Sequence, residues 1–547
     1  MKLDLLIRNA RIITMDTARP AAAAVGVLNG RIVGLDADVA HLPAAETVDL
    51  GGAVLTPGFN DTHCHTTWFG LGLAETDVSG AADMEELYTL LETAAAQPDT
   101  TGTGWVMGTG FNQVDHGGRF PDIRVLDRIC AGRPLYLRHN SGHMAVANTA
   151  ALRLAGADAP DFPDPAGGRV VRHPDGTPTG LLQETAQRLV QDLVQPYPLA
   201  AIEAALDRGT ARYAREGITS FTEAGIGGGW IGHSPLELAA YTAALRDGRL
   251  HARAQVMPAL DALHQLTGHA DDDAGLGLDL GIVTGFGCDR LSLGPAKVFT
   301  DGSLISETAA VAEPYCGHDH GTNTGYFQDD PEQMRSRILS AYRSGWSIAA
   351  HAIGDRAVDF ALDVLTECQR TYGRRAVPNR IEHASITRDE HLPKLAAAGI
   401  AVTPQAGFFA TLGDAMTASL GPDRARLAYR GRSFVDAGVL LAGSSDRPVA
   451  DGNVMRCLQA FVDRRSGSGD VFGGPDEGLT PYQALAAYTV NAAEATGRRG
   501  SLGSITPGLL ADFAVLSDSP LDVPTDEIGD IQVRATILGG EFTHNAL

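Results

Sequence analysis

Residues 56–65 read Thr56-Pro-Gly-Phe-Asn-Asp-Thr-His63-Cys-His65, and they follow the apolar run Ala53-Val-Leu. In a β-strand, residues i and i+2 lie on the same face, so His63 and His65 can point in one direction together. Taken alone, such a pair can be a coincidence of the surface or of the core. It gains meaning because later segments of the chain repeat the arrangement.

Three further apolar runs end in a side chain that commonly binds metal: Ser347-Ile-Ala-Ala-His351, Arg380-Ile-Glu-His383 and Gly438-Val-Leu-Leu-Ala-Gly-Ser-Ser-Asp446. Each alone could be a hydrogen-bonded histidine or a turn aspartate. In barrels of parallel strands, however, active sites lie at the carboxyl ends of the strands. Four such endings together predict a metal site.

Lys297 ends a fifth run, Leu291-Ser-Leu-Gly-Pro-Ala-Lys297, in a chain whose 43 basic residues include only three lysines. An ammonium group among apolar neighbours is costly unless it is paired or modified. A neutral lysine amine can add carbon dioxide and become a carbamate that bridges two metal ions, which a guanidinium cannot do. The alternative is a buried lysine paired with Asp301 or Glu307.

The order of predicted elements indicates an α/β fold. Short apolar segments alternate with helical stretches through the middle of the chain, as in a parallel barrel. Nine strands are predicted, at 53–60, 134–139, 217–223, 251–257, 291–299, 346–351, 379–383, 399–404 and 438–443. Nine strands are one more than an eight-stranded barrel contains, and the gap between the first strand and the strand at 217–223 is too long for an ordinary βα unit. We therefore assign about 66–200 to an insertion over the barrel mouth.

The predicted domain organisation follows from this assignment. Residues 58–499 form a (β/α)8 TIM barrel that carries the insertion. The two ends of the chain, 1–57 and 500–547, are rich in short β-type runs. They are predicted to build one small β-sandwich domain from both termini.

The combined motifs resemble the amidohydrolase superfamily, in its YtcJ-like branch (the amidohydrolase 3 family, which includes N-substituted formamide deformylase). The resemblance implies that one metal binds His63, His65 and Asp446. It implies that a second metal binds His351 and His383, with carboxylated Lys297 bridging the two. Zn²⁺ suits this donor set best, and Mn²⁺, Fe²⁺ and Ni²⁺ are not excluded.

The resemblance implies hydrolysis of a C–N bond in an N-acyl, formamide or cyclic amide through a metal-bound hydroxide. Asp446 would take the proton of the water and deliver it to the leaving amine. His143 is either an extra donor to the oxyanion or a structural residue. The alternatives are a mononuclear deaminase, an ester or lactone hydrolase at the same centre, and a non-catalytic amidohydrolase-like assembly protein.

Composition limits the partners. The net charge of −23 opposes binding to nucleic acid or an anionic membrane. No run of 18 apolar residues occurs, and charged residues interrupt the first apolar segment, where a signal peptide would need an unbroken one. Six scattered cysteines without a CxxC pair suit a reducing compartment. We expect a cytoplasmic enzyme with a small-molecule substrate, and a homodimer as the default assembly.

Overall fold

The structure is a computed structural model that describes residues 2–99, 103–139, 144–165, 168–229, 231–305, 307–316 and 322–547. The chain divides into two compact units. The first consists of Met1–His65, Thr210–Gly232 and Leu250–Leu547, and the second of Thr66–Gly209 and His233–Arg249.

Parallel strands form the centre of the first unit. They lie in two four-stranded sheets. The first has the order Leu291–Leu293, Arg253–Pro258, Ile218–Ile226, Phe59–Cys64. The second has the order Ala296–Phe299, Ile348–Ala352, Arg380–His383, Ala401–Thr403. A parallel bridge between Ala259 and Lys297 links the two sheets. With the helices that separate the later strands along the chain, they confirm the predicted α/β class.

Three predicted strands differ in detail from those observed. The segment 53–60 is wrong as a single strand, because it divides into Val54–Pro57 and Phe59–Cys64, in different sheets. The break falls at Gly58, where a Cβ would lie 2.2 Å from Oγ1 of Thr219, so the neighbouring strand leaves no room for a side chain. The segment 291–299 likewise divides into Leu291–Leu293 and Ala296–Phe299. The segment 438–443 forms no strand among the described residues, where Leu441 makes a single bridge to Val402.

In the first unit, one sheet joins strands from both ends of the chain, and a second sheet contains strands from the N-terminal end. One sheet has the order Glu541–Asn545, Val533–Leu538, Phe513–Leu516, Val54–Pro57, Arg11–Ile13, Ala21–Ala22, and the other Arg31–Leu35, Val25–Leu28, Leu3–Arg8, Ala44–Asp49. Both contribute to one apolar cluster, in which Ile7 and Val25 of one sheet join Leu55 and Phe513 of the other. A separate hairpin pairs His264–Gln265 with Leu276–Gly277.

The second unit contains a six-stranded mixed sheet. Its order is Gly168–Arg172, Pro178–Glu184, Met144–Ala147, Leu135–His139, Val106–Phe111, Thr76–Asp77. The segment 134–139, predicted to lie outside the barrel, is the strand Leu135–His139 of this sheet. His143 lies outside the described residues, and its role stays a prediction.

Helices account for much of the remaining chain. The α-helices of the first unit are Pro331–Arg343, Asp355–Tyr372, His391–Ala398, Phe408–Leu420, Pro422–Ala425, Arg432–Asp436, Val454–Asp463, Pro481–Ala487 and Val490–Ala495. Those of the second are Thr66–Gly72, Met84–Ala96, Ile123–Ile129, Thr149–Leu154, Arg188–Val194 and Glu237–Arg246, while Leu199–Arg215 continues from the second unit into the first. The 3₁₀ helices are Asp36–Asp38, Gln113–His116, Thr185–Gln187, Leu260–Ala262, Ala270–Asp272, Asp279–Gly281, Pro475–Glu477 and Thr525–Asp530. Across the described ranges, every helix is too short or too polar to cross a membrane.

Candidate metal centre

His63, His65 and Asp446 form a buried cluster. His63 lies near the end of the strand Phe59–Cys64, and His65 follows the strand directly. The Asp446 Oδ1 atom lies 3.0 Å from Nε2 of His65 and 3.3 Å from Nε2 of His63. The backbone N–H of Asp446 donates to the carbonyl of His63, which fixes the two segments against each other. One atom from each side chain falls within 4.8 Å of the others, a separation that one metal ion can span.

His383 and His351 extend this cluster. The His383 ring lies 4.9 Å from the His63 ring and 4.5 Å from the His351 ring, measured between centroids. Both residues belong to neighbouring parallel strands, Arg380–His383 and Ile348–Ala352. The φ angle is +69° at His383 and +55° at Asp446. Residues other than glycine rarely adopt such a backbone, and Asp and His are among those that do so more often.

Lys297 is buried beside these histidines, in the strand Ala296–Phe299. Its Nζ atom has no hydrogen-bond partner among the described residues and lies 4.7 Å from the ring centre of Phe299. Burial lowers the pKa of the amine from 10.5 to about 8. The alternative pairing with Asp301 or Glu307 is therefore wrong. The carboxylate of Asp301 instead accepts three backbone N–H groups, from Ala310, Ile353 and Gly354.

Three of the histidines have one ring nitrogen held by a fixed partner. The Nδ1 atom of His63 contacts Glu382, and Nδ1 of His383 lies 2.7 Å from Oε1 of Gln405. The Nε2 atom of His351 lies 3.0 Å from the carbonyl oxygen of Gly302. Metal-binding histidines typically donate their second N–H in this way. The nitrogens left for a metal are Nε2 of His63, Nε2 of His383 and Nδ1 of His351.

The protonation states also suit metal binding. Burial lowers the pKa of His383 to about 3 and that of His351 well below its ordinary value. Burial alone would raise the pKa of Asp446, but the adjacent rings of His63 and His65 hold it well below its ordinary value. Neutral imidazoles and an ionised carboxylate are the forms that bind metal. Together with the buried, unpartnered Nδ1 of His351 and Nζ of Lys297, the residues present fit a metal centre.

Sequence reasoning missed the residues that support this cluster. Glu382, which contacts His63, lies next to His383, and strand alternation alone would place the two on opposite faces. The positive φ at His383 ends the alternation, so both side chains reach His63. Asp61 is two residues before His63 and accepts hydrogen bonds from the N–H and hydroxyl of Ser445, beside Asp446. Glu382 and Asp61 both lie within the sequence motifs that end in the candidate ligands, and this position was the signal that could have identified them.

The chain belongs to the amidohydrolase family, whose sequence pattern matches residues 46–544. It is 32% identical to the Protein LONG AFTER FAR-RED 3 of Arabidopsis thaliana, over 98% of this chain and 91% of that protein. It is 28% identical to the amidohydrolase-type protein YtcJ of Bacillus subtilis, over 92% of this chain and 91% of that protein. It is 29% identical to the N-substituted formamide deformylase of Arthrobacter pascens, over 98% of this chain and 97% of that protein. The predicted YtcJ-like branch is thus confirmed.

Solved structures agree on the fold. The crystal structure of an uncharacterized metal-dependent hydrolase from Pyrococcus horikoshii OT3 matches with a TM-score of 0.76 and 22% identity, covering 95% of this chain and 99% of that one. At this identity the likeness shows the fold alone, which is a TIM-barrel-like α/β fold. With its family, the chain is a metal-dependent hydrolase that acts on carbon–nitrogen bonds other than peptide bonds.

Proposed function

We propose that this protein hydrolyses a C–N bond of a small-molecule amide, of the N-acyl, formamide or cyclic type. One observation carries the proposal: His63, His65, His351, His383 and Asp446 converge beside the buried amine of Lys297. The formamide deformylase relative supports an amide substrate, since its name specifies that substrate class.

The same residues would hold two divalent ions, most simply Zn²⁺. His63, His65 and Asp446 would bind one ion, and His351 and His383 the other. When bound, the ions supply Lewis acidity, which lowers the pKa of water and polarises a carbonyl oxygen. Lys297 would bridge them as a carbamate: its neutral amine forms an N–C bond to carbon dioxide, and the displaced proton leaves to solvent.

Asp446 is the residue proposed to move the proton. Its carboxylate is ionised in the folded protein, and its Oδ1 atom faces Nε2 of both His63 and His65. From this position it can accept a proton from the attacking water and deliver it to the nitrogen that leaves. The backbone bond from its N–H to the carbonyl of His63 holds the carboxylate in place.

We also propose that the two parallel sheets and the segment 438–443 close into one eight-stranded barrel, in which the strands Leu291–Leu293 and Ala296–Phe299 count as one. The bridges Ala259–Lys297 and Val402–Leu441 support closure, as does the N–H of Thr62, which donates to the carbonyl of Gly443. The domain at the chain ends would then be a β-sandwich, since its two sheets share one apolar core.

Metal analysis and a turnover screen test the function. Purified protein should contain divalent metal. Loaded with Zn²⁺, it should turn over at least one member of a panel of N-formyl amides, N-acyl amides and cyclic amides. The panel should also include esters, lactones and aminated heterocycles. Turnover of only esters or lactones, or only deamination, would contradict the proposed substrate class, and a metal-free, inactive protein would favour a non-catalytic role.

A further inference from the structure

We propose that Glu382 is a positioning residue for the metal centre, with Arg380 present to neutralise it. Glu382 would hold His63 in the tautomer that presents Nε2 and would increase the affinity of the site for its ion. The inference rests on the proposed function only in that it assumes a metal bound by His63.

Three partners fix the carboxylate of Glu382. One oxygen contacts Nδ1 of His63 and also accepts from Oγ1 of Thr403 at 2.8 Å. The other accepts from Nε of Arg380 at 2.9 Å. The partners come from three parallel strands, so the carboxylate cannot turn without breaking bonds to all of them.

The ion pair between Arg380 and Glu382 is fully buried, with both side chains at 0% exposure. Removing two charges from water is costly, and a buried pair often stabilises a fold no more than apolar residues of similar size. The Nη1 atom of Arg380 has no hydrogen-bond partner among the residues that the structure describes. Because the pair is a poor way to gain stability, its contact with a site histidine points to a role in binding.

Two of the three supported histidines have side-chain acceptors that differ in charge. His63 contacts a carboxylate, whereas His383 contacts the neutral amide of Gln405. An anionic acceptor raises the basicity of the opposite ring nitrogen more than an amide does. Glu382 therefore supports metal binding by His63 more strongly than Gln405 could support metal binding by His383.

The test measures Zn²⁺ affinity by competition with a chelator, together with thermal unfolding. Glu382→Gln removes the charge but keeps the shape. Thr403→Val removes only the hydroxyl that donates to Glu382. Glu477→Gln is the matched control, because Glu477 is a largely buried carboxylate paired with Arg430 at 3.0 Å in the same unit. The double variant Arg380→Met with Glu382→Gln removes both charges of the pair.

We expect Glu382→Gln to weaken Zn²⁺ binding by about 10–100-fold. Thr403→Val should weaken it by a smaller factor, and Glu477→Gln should lower the melting temperature without changing Zn²⁺ affinity. The double variant should regain stability relative to Glu382→Gln while its Zn²⁺ affinity stays low.

Recovery of Zn²⁺ affinity in the double variant would overturn the proposal, because Glu382 would then serve only to balance Arg380. Wild-type affinity in Glu382→Gln, or an equal loss in Glu477→Gln, would overturn it too. Failure of the proposed function gives a separate result, in which the wild-type protein itself binds no Zn²⁺.

Discussion

Two parts of the first unit are equally buried and contain opposite kinds of side chain. The core between the terminal sheets consists of aliphatic and aromatic residues such as Ile7, Leu55 and Phe513. At the ends of the parallel strands, the buried residues include Lys297 and Glu382. Apolar burial stabilises a fold, whereas burial of charge costs free energy unless a partner offsets it. The difference indicates that the terminal core stabilises the fold, whereas the buried charged residues at the strand ends are placed to bind a ligand.

Replacing a cluster histidine should give the largest effect. His65→Ala removes one donor from the cluster with His63 and Asp446. A metal ion stabilises the transition state by several kcal/mol, so turnover of an amide should fall by about a thousandfold. The variant should still fold, with a melting temperature lowered only by the stabilisation that bound metal gives the wild type. A variant that loses its fold together with its activity would contradict the proposed separation of roles.

Truncation of a side chain in the core between the terminal sheets should lower stability without affecting metal binding. Phe513→Ala opens a cavity at a side chain with 0% exposure, and it should lower the free energy of unfolding by about 3–5 kcal/mol. Denaturant unfolding measures this loss. The number of metal ions per folded chain should not change, and a reduced number would show that the two regions are coupled.

Lys297 should make a contribution to the stability of the metal-free protein that rises with pH. The pKa of this amine is about 8 in the folded state and near 10.5 when exposed. Between these values the unfolded chain binds more protons at Lys297, so the contribution of this residue to the free energy of unfolding increases by about 3 kcal/mol as pH rises from 8 to 10.5. The buried thiols of Cys130, Cys368 and Cys457, whose pKa values burial raises to about 12, contribute in the opposite direction, so the increase is read as the difference between the wild type and Lys297→Met. Unfolding in carbon dioxide-free buffer measures this increase. Lys297→Met should lack this rise, and identical pH curves for the two proteins would refute the assignment.

A small change in the apolar region should have the smallest effect. Ile7→Val removes one methylene from a side chain with 0% exposure, at a cost of about 1 kcal/mol in the free energy of unfolding. Turnover at a saturating metal concentration should be unchanged. A lowered turnover would mean that packing in the terminal core reaches the metal centre.

The sequence was sufficient for the α/β class and for the residues that converge, because each candidate ligand ends an apolar run. It was not sufficient to show where one strand becomes two. Gly58 separates two sheets because Thr219, 161 positions later, occupies the space of its Cβ. Nor could it reveal Glu382 as a partner of His63, because the backbone reversal at His383 that allows this contact is a tertiary effect.

The central claim is that Lys297 is an amine placed to bridge two metal ions. The most direct measurement is the number of divalent ions bound per chain in the wild-type protein and in Lys297→Arg, prepared together with Zn²⁺ and bicarbonate. The account predicts two ions in the wild type and at most one in the variant. Equal numbers in the two proteins would contradict it.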